Sequence, residues 1–264
     1  MNTKIQNHLP GDYPWQNHIH WFETIDSTNT RAKQMAAEGA PHGTVLVADA
    51  QTGGRGRMGR SFHSPSGSGI YLSMILRPVC SAKELLHLTC AVAVAAADGI
   101  QAATGLRPKI KWTNDLVVGK KKLGGILTEL SLNSAGNVDY VVVGIGINCS
   151  QTIGDFPADI QSIATSVHLA TGKAIDRAAV IAQILVALQK MSESLQNPAS
   201  TLSRYREDCI TIGQDISVVQ GDEIRHGKAL NVDGNGALVV QFADGQIQAV
   251  QSGEVSVRGM YGYV

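Results

Sequence analysis

The chain opens polar and then falls into blocks whose apolar spacing changes from one block to the next. Residues 1 to 17 are polar, carry two prolines and predict a loose arm. "IHWFETI" predicts a strand. "DSTNTRAKQMAAEG" predicts a helix, capped by Asp26 or Ser27, with Ala32, Met35 and Ala36 on one stripe and Gly39 as its stop. "TVLVADA" is a continuous apolar strand, followed by a long Gly/Ser loop from Gln51 to Gly69 and a further strand, "IYLSMIL". "SAKELLHLTCAVAVAAADGIQAATG" predicts one long buried helix, with Ser81 and Glu84 as a capping box and Gly105 as its end. Its most apolar run, "CAVAVAAADGI", is too short for a membrane span and is interrupted by Asp98.

"KIKWTNDLVV", a Gly-Lys turn, "KKLGGILTELSL", "NSAGN" and "VDYVVVGIGIN" predict strands and hairpins. "DRAAVIAQILVALQKMSESL" and "ASTLSRYREDC" have the spacing of amphipathic helices. After about Thr211 apolar and polar residues alternate, and turns fall at Gly221-Asp222, Asp233-Gly234-Asn235-Gly236 and Asp244-Gly245. That texture predicts a small β-barrel. The expected organisation is an α+β main domain over residues 1–210 and a β domain over 211–264.

The length of 264 residues allows a sizeable core, and 44% hydrophobic with 17% charged residues is ordinary for a soluble globular chain. Net charge is zero with a pI near 7.1, which argues against a protein built to hold nucleic acid or an acidic membrane. Cys80, Cys90, Cys149 and Cys209 are scattered without C-x-x-C spacing, so neither a disulfide framework nor a zinc site is expected. The N-terminus has no apolar signal-peptide core, and the expectation is a cytoplasmic protein.

Candidate chemistry begins at "QTGGRGRMGR". Gly54, Gly56 and Gly59 match G-x-G-x-x-G, but "SFHSPSGSG" follows, and Pro65 with several Gly and Ser residues cannot start the helix that a dinucleotide turn needs. Arg55, Arg57 and Arg60 lie between the glycines. Guanidinium groups present planar paired donors that suit carboxylates and phosphates, so the loop is a candidate to order around an anionic ligand. A solvated basic loop and a nucleic-acid patch are the alternatives, the latter with only Phe62 as an aromatic neighbour.

Three further patches carry polar groups. In "KWTNDLVVGKKKLGGIL", Asp115 is a candidate Mg²⁺ ligand and Asn114 a ligand-fixing amide, against a plain charged hairpin tip. Lys120 and Lys121 belong to the turn, whereas Lys122 begins the apolar run beside Gly124-Gly125 and is the one expected to point inward. "GIGIN" ends a strand with small residues and Asn148, and "DSTN" offers Ser27, Thr28 and Asn29 either as a helix cap or as partners for a urea-like group.

Taken in order, "DSTN", "QTGGRGRMGRSFHSP", "KWTND", "KKLGGIL" and "GIGIN" resemble the catalytic domain of biotin–protein ligases, from about Thr24 to about Arg258. The resemblance implies a mixed sheet with helices on one face, of the class II synthetase type, plus a C-terminal SH3-like barrel. It implies two steps: biotin and Mg²⁺–ATP form biotinyl-5′-AMP, and a lysine of a biotin carboxyl carrier domain then takes the biotinyl group. By matching position it places Ser27, Thr28, Asn29, Gln51, Gly54, Arg55, Gly56, Arg57, Lys122 and Gly125 on the biotin side. Arg57, Phe62, Asn114, Asp115, Lys122 and Asn148 fall on the ATP side, with Asp115 towards the metal and with Lys122 and Arg57 as the catalytic pair. Of the three arginines, Arg57 is expected to meet the phosphate, Arg55 to shape the biotin side and Arg60 to be structural.

Departures are Phe62 where many members have tryptophan and Thr113 where many have proline. The stretch ahead of "WFETI" is too short for the helix-turn-helix domain of repressor-type ligases, so DNA binding is not expected. The resemblance leaves open a monomer or a homodimer. A lipoate or octanoate ligase or transferase of the same fold is the alternative, and the G-R-G-R-x-G-R loop with the Lys122 run favours biotin.

Overall fold

Seven segments that alternate or run apolar pair into one sheet: β1 (Ile19–Ile25), β2 (Thr44–Gln51), β3 (Gly69–Leu76), β4 (Lys109–Lys111), β5 (Asp115–Val118), β6 (Lys121–Leu132) and β7 (Val138–Asn148). The computed structural model describes residues 1–251 and the backbone of 256–259. Across the sheet the order is β1-β2-β3-β7-β6-β5-β4. β1 and β2 are parallel, joined by a crossover through α2 (Thr28–Ala37), and all other neighbours are antiparallel.

Period-2 geometry sorts the strand side chains. Val45, Val47, Met74, Val143 and Ile145 belong to the core under α3 (Leu88–Thr104) and α5 (Arg177–Glu193). Leu46, Ile75 and Val142 face the other way, against Ala32 and Ala36 of α2. Helices therefore lie on both faces. The single α2 covers only part of the second face and leaves the rest as the floor of a cavity.

The long helix expected from Ser81 is divided. Ser81 and Glu84 form their capping box around a 3₁₀ turn over Ala82–Leu85, and α3 begins at Leu88 and ends on Gly105 in the left-handed conformation. By length and hydropathy Ala82–Thr104 could cross a membrane, so its burial in protein rather than its shortness marks it as a core helix. Gly99 lets α3 meet α5 closely, since a Cβ there would lie 2.5 Å from Ile184 Cα.

The N-terminal residues are not the loose arm that their polarity predicts. They form α1 (Asn2–His8), and Ile5, Leu9, Tyr13 and Trp15 are buried against the main core. Tyr13 Oη donates to the Leu185 carbonyl of α5 at 3.3 Å. A few well-spaced apolar side chains are enough to dock a polar segment when a helix and a sheet edge stand ready to receive them.

Downstream, α4 (Val167–Thr171) precedes α5, and α6 (Pro198–Asp208) leads into β8 (Asp215–Gln220), β9 (Glu223–Val232), β10 (Leu238–Phe242), β11 (Ile247–Val250) and β12 (Ser256–Gly259). These last five form a separate antiparallel sheet in the order β11-β10-β9-β8-β12. Residues 252–255 and 260–264 of the expected C-terminal domain lie outside the described residues. The Asp-Gly-Asn-Gly turn plugs this sheet into the main body. The Gly236 carbonyl accepts from Trp112 Nε1 at 3.0 Å, and Arg206 of α6 donates to the carbonyls of Val232 and Asp233.

Candidate active site

A cavity of about 490 Å³ opens on the uncovered part of the sheet. Its floor is built by the small residues of β7. A methyl group on Gly144 would overlap Asn29 Oδ1, and one on Gly146 would lie 2.7 Å from the Phe62 ring. The glycines of "GIGIN" thus admit Asn29 from one side and Phe62 from the other.

One end of the cavity is an amide-and-hydroxyl network. Ser27 caps α2, accepting from Thr30 N–H, and Ser27, Thr28 and Asn29 are all buried. Gln51, at the end of β2, accepts through Oε1 from Thr28 N–H at 2.9 Å and from the Thr28 hydroxyl at 3.1 Å. Its Nε2 donates to Ser64 Oγ at 3.0 Å, and Ser64 donates to the Phe62 carbonyl. The fully buried Ser73 hydroxyl lies 2.6 Å from Asn29 Oδ1 and 2.8 Å from Thr28 Oγ1. Such a chain can present both donors and acceptors to a small polar head group at low cost, because its members already hold one another.

The opposite end is charged. Lys122 Nζ donates to Asp115 Oδ1 at 2.7 Å. Asn114 donates to the Ile126 carbonyl and accepts from Arg57 Nη1 at 3.1 Å, so the loop arginine reaches across the cavity to the turn between β4 and β5. Burial lowers the Arg57 pKa, Asp115 partly offsets that, and Arg60 adds repulsion. The group stays charged, and the opposite charge of an arriving anion offsets both the cost of burial and the repulsion. Lys122 is aimed here by a bulge. Asp115 pairs with Gly125 and Leu116 with Gly124, but Val117 pairs with Lys122, so Leu123 is skipped and Lys122 moves to the face of Asp115 and Gly125. Its backbone is clamped by residues 163–165 through Lys122 N–H to the Ile163 carbonyl and Thr165 N–H to the Lys122 carbonyl.

The Gly/Arg loop spans the two ends. Its limbs lie together through Phe62 N–H to the Gly54 carbonyl and Gly56 N–H to the Arg60 carbonyl, with one short 3₁₀ turn over Arg57–Gly59. No long helix follows, as "SFHSP" requires.

Most predicted residues meet at this cavity: Ser27, Thr28, Asn29 and Gln51 at one end, Asn114, Asp115, Lys122 and Gly125 at the other, and Arg55, Gly56, Arg57 and Phe62 from the loop. Two do not line it. Gly54 is a packing position, since a side chain there would strike the Phe62 carbonyl and Ser64. Asn148 is buried and donates to the Thr165 carbonyl at 3.0 Å, so it supports the segment that clamps Lys122 instead of facing the cavity. Arg60, expected to be structural, lines the cavity and makes no side-chain hydrogen bond or ion pair among the described residues.

A family model described as the biotin/lipoate A/B protein ligase family matches residues 21–148, and one described as the biotin protein ligase C terminal domain matches residues 211–258. The chain is 38% identical over 242 residues to the bifunctional ligase/repressor BirA of Bacillus spizizenii, covering 91% of this chain and 74% of the relative. The chain belongs to the biotin/lipoate A/B protein ligase family. It is also 31% identical to a biotin–[acetyl-CoA-carboxylase] ligase of Paracoccus denitrificans, over 89% of this chain and 98% of that one. The biotin protein ligase of Aquifex aeolicus, solved in complex with biotin and ATP, superposes with a TM-score of 0.78 at 30% identity, covering 91% of this chain and 98% of that one.

Several residues at this family member's cavity have no role predicted from the sequence: Lys111, Trp112 and Met58, although they lie inside the quoted motifs, Ile163, and the supporting Ser73 and Glu129. Glu129 had a visible signal, being a carboxylate within the largely apolar β6 run. Ser73 and Ile163 had none, because only the pairing of β3 with β7 and the clamp of residues 163–165 on Lys122 bring them here. Cys90 and Cys149 are buried thiols whose pKa burial pushes up to about 12, which suits packing and not nucleophilic work.

Proposed function

We propose that the protein is a biotin–protein ligase. One observation carries the reading: a single cavity joins an amide-recognising end to an Arg57–Lys122 end, with a glycine-arginine loop across both. The uncharged bicyclic head of biotin suits the Thr28–Gln51–Asn29 network, and its valeryl chain directs the carboxylate to the cationic end. There a carboxylate oxygen attacks the α-phosphorus of ATP, pyrophosphate leaves, and biotinyl-5′-AMP forms. Arg57 and Lys122 screen two mutually repelling anions and stabilise charge developing on the phosphoryl oxygens. An acceptor lysine of a biotin carboxyl carrier domain then attacks the acyl carbon, AMP leaves with the electron pair, and the amine proton is lost to solvent or to AMP. The closed loop keeps water from the anhydride between the steps.

Phe62, Asn114 and Asp115 take the nucleotide side. Among the described residues no cluster of three or more His, Cys, Asp or Glu is preassembled for a metal. The single carboxylate of Asp115 fits Mg²⁺ that arrives on the triphosphate, since Mg²⁺ keeps waters and phosphate oxygens and needs only one or two protein carboxylates. Residues 1–210 act as the catalytic domain and 211–264 as the C-terminal module, in the cytosol with its carboxylase partners.

The test is biotin-dependent ATP–pyrophosphate exchange followed by a mass shift on a purified carrier domain, with lipoate in a parallel reaction. Exchange and a single biotinyl addition are expected. Modification by lipoate alone overturns the reading.

A further inference from the structure

Glu129 stands within β6 with a side chain only 21% exposed, and its two oxygens gather three groups from two other segments. Oε2 accepts from Asn29 Nδ2 at 2.9 Å. Oε1 accepts from Lys33 Nζ at 2.7 Å and lies 3.4 Å from Arg55 Nη2. Asn29 and Lys33 share one face of α2, whereas Arg55 belongs to the Gly/Arg loop. One carboxylate therefore sits between two cations and the amide that faces the head-group end.

Two physical consequences follow. An anionic acceptor beside Asn29 accepts only, so, together with the Leu127 carbonyl at 3.3 Å, it fixes the amide with Nδ2 towards β6 and Oδ1 towards Ser73 and Gly144. The same carboxylate keeps Lys33 and Arg55 together despite their like charge. Burial pushes the Glu129 carboxyl up, but hydrogen bonds from Lys33 and Asn29 and the charges of Lys33 and Arg55 outweigh it and hold it below its ordinary value. The loop's other limb is tied to the same network through Gln51, Ser64 and the Phe62 carbonyl. Both limbs of the loop are thus fastened to the residues that read the head group.

We propose that Glu129 is a positioning residue that couples head-group recognition to closure of the Gly/Arg loop, orienting Asn29 with one oxygen and holding Arg55 with the other. This rests on the ligase reading for the identity of the head group, but not for the hold on the loop. A head group that locks Asn29 stiffens Glu129 and with it Arg55. A loop that closes on Arg55 returns the same rigidity to Asn29.

The test uses the full chain as Glu129→Gln, Arg55→Met, their double variant, and Lys33→Met. Glutamine keeps the volume, removes the charge and loosens the hold on the Asn29 amide, which the Leu127 carbonyl alone then orients firmly. Without ligand, trypsin should cut after Arg57 about tenfold faster in Glu129→Gln and in Arg55→Met, the size of one partly exposed charge-assisted contact. The double variant should be no faster than either single one, and Lys33→Met should stay within about twofold of the parent chain because Arg55 keeps its carboxylate. With biotinyl-5′-AMP preformed on the enzyme, release should accelerate by about tenfold in Glu129→Gln while the KM for ATP stays within about twofold. Cleavage and release within about twofold of the parent, or additive effects in the double variant, overturn the proposal, as does a Lys33→Met that opens the loop equally. If Glu129→Gln does not fold, Arg55→Met alone reads the same cleavage and release. If the parent chain forms no biotinyl adenylate, the ligase reading fails, and the ligand-free cleavage still decides the hold of Glu129 on Arg55.

Discussion

Replacing Lys122 with methionine keeps the length of the side chain and removes its charge at the point where two anionic substrates must meet. Lys122 Nζ lies 2.7 Å from Asp115 Oδ1, with side chains 32% and 19% exposed. Losing a preorganised donor aimed at developing charge costs about 10²–10³ in rate. The change also removes one of the cations that balance the Asp115 carboxylate beside the incoming phosphates, leaving Arg57 to offset it. At a separation of about 6 Å and the effective dielectric of a partly buried site this adds about 1–3 kcal/mol of repulsion. Biotin-dependent ATP–pyrophosphate exchange should therefore fall by about 10³–10⁴. The fold should survive, since losing this partly buried pair costs about 1–2 kcal/mol, a small part of the stability of a core of this size. Lys122→Arg, which restores the charge in a different shape, should recover about tenfold over the methionine variant. An exchange rate within about tenfold of the parent chain, at an unchanged Tm, would refute the role given to Lys122.

Gly144→Ala places a methyl group on Asn29 Oδ1 and displaces an amide held by Ser73 and Glu129. At about 2–3 kcal/mol this raises the KM for biotin about 30- to 150-fold with the KM for ATP nearly unchanged, as steady-state kinetics on each substrate would read. Ile5 is fully buried, so Ile5→Ala should lose about 2–4 kcal/mol, a drop in Tm of about 5–12 °C by calorimetry; a drop under about 2 °C would show that α1 is not part of the core. Asp208 is buried with Arg107 and Lys109: burial pushes its carboxyl up, and the two cations outweigh this and lower it. A pKa lowered on folding contributes stability above the unfolded value near 4, lost as pH falls through the folded pKa. Asp208→Asn should thus cost about 2–3 kcal/mol at pH 7, with the gap to the parent chain closing below about pH 4 in urea titrations.

Local pattern reaches far into this protein. The apolar, β-branched and aromatic content of "IHWFETI" and "IYLSMIL", the cap at Ser27, the stop at Gly105 and the turns of the C-terminal module are properties of short stretches, and the structure places strands, helix ends and turns there. The Gly/Arg loop was legible for the same reason, because "SFHSP" forbids a helix wherever it is placed. The N-terminal segment was misread because docking of Ile5, Leu9, Tyr13 and Trp15 depends on α5, with Tyr13 and Leu185 lying 172 residues apart.

Residue types and their order along the chain were enough to pick out most of the polar and charged groups that line the cavity. Which of them touch depended on pairing between distant strands. Simple alternation along β6 puts Lys122 and Gly125 on opposite faces, and the bulge at Leu123 brings them to one. Asn148 ends the right strand, yet the approach of residues 163–165 turns its amide to structural use. Glu129 reads as an odd charge in β6 until α2 and the loop fold over it. Side-chain chemistry and local periodicity are written in short segments, whereas contact is set by register and packing, which no short segment contains.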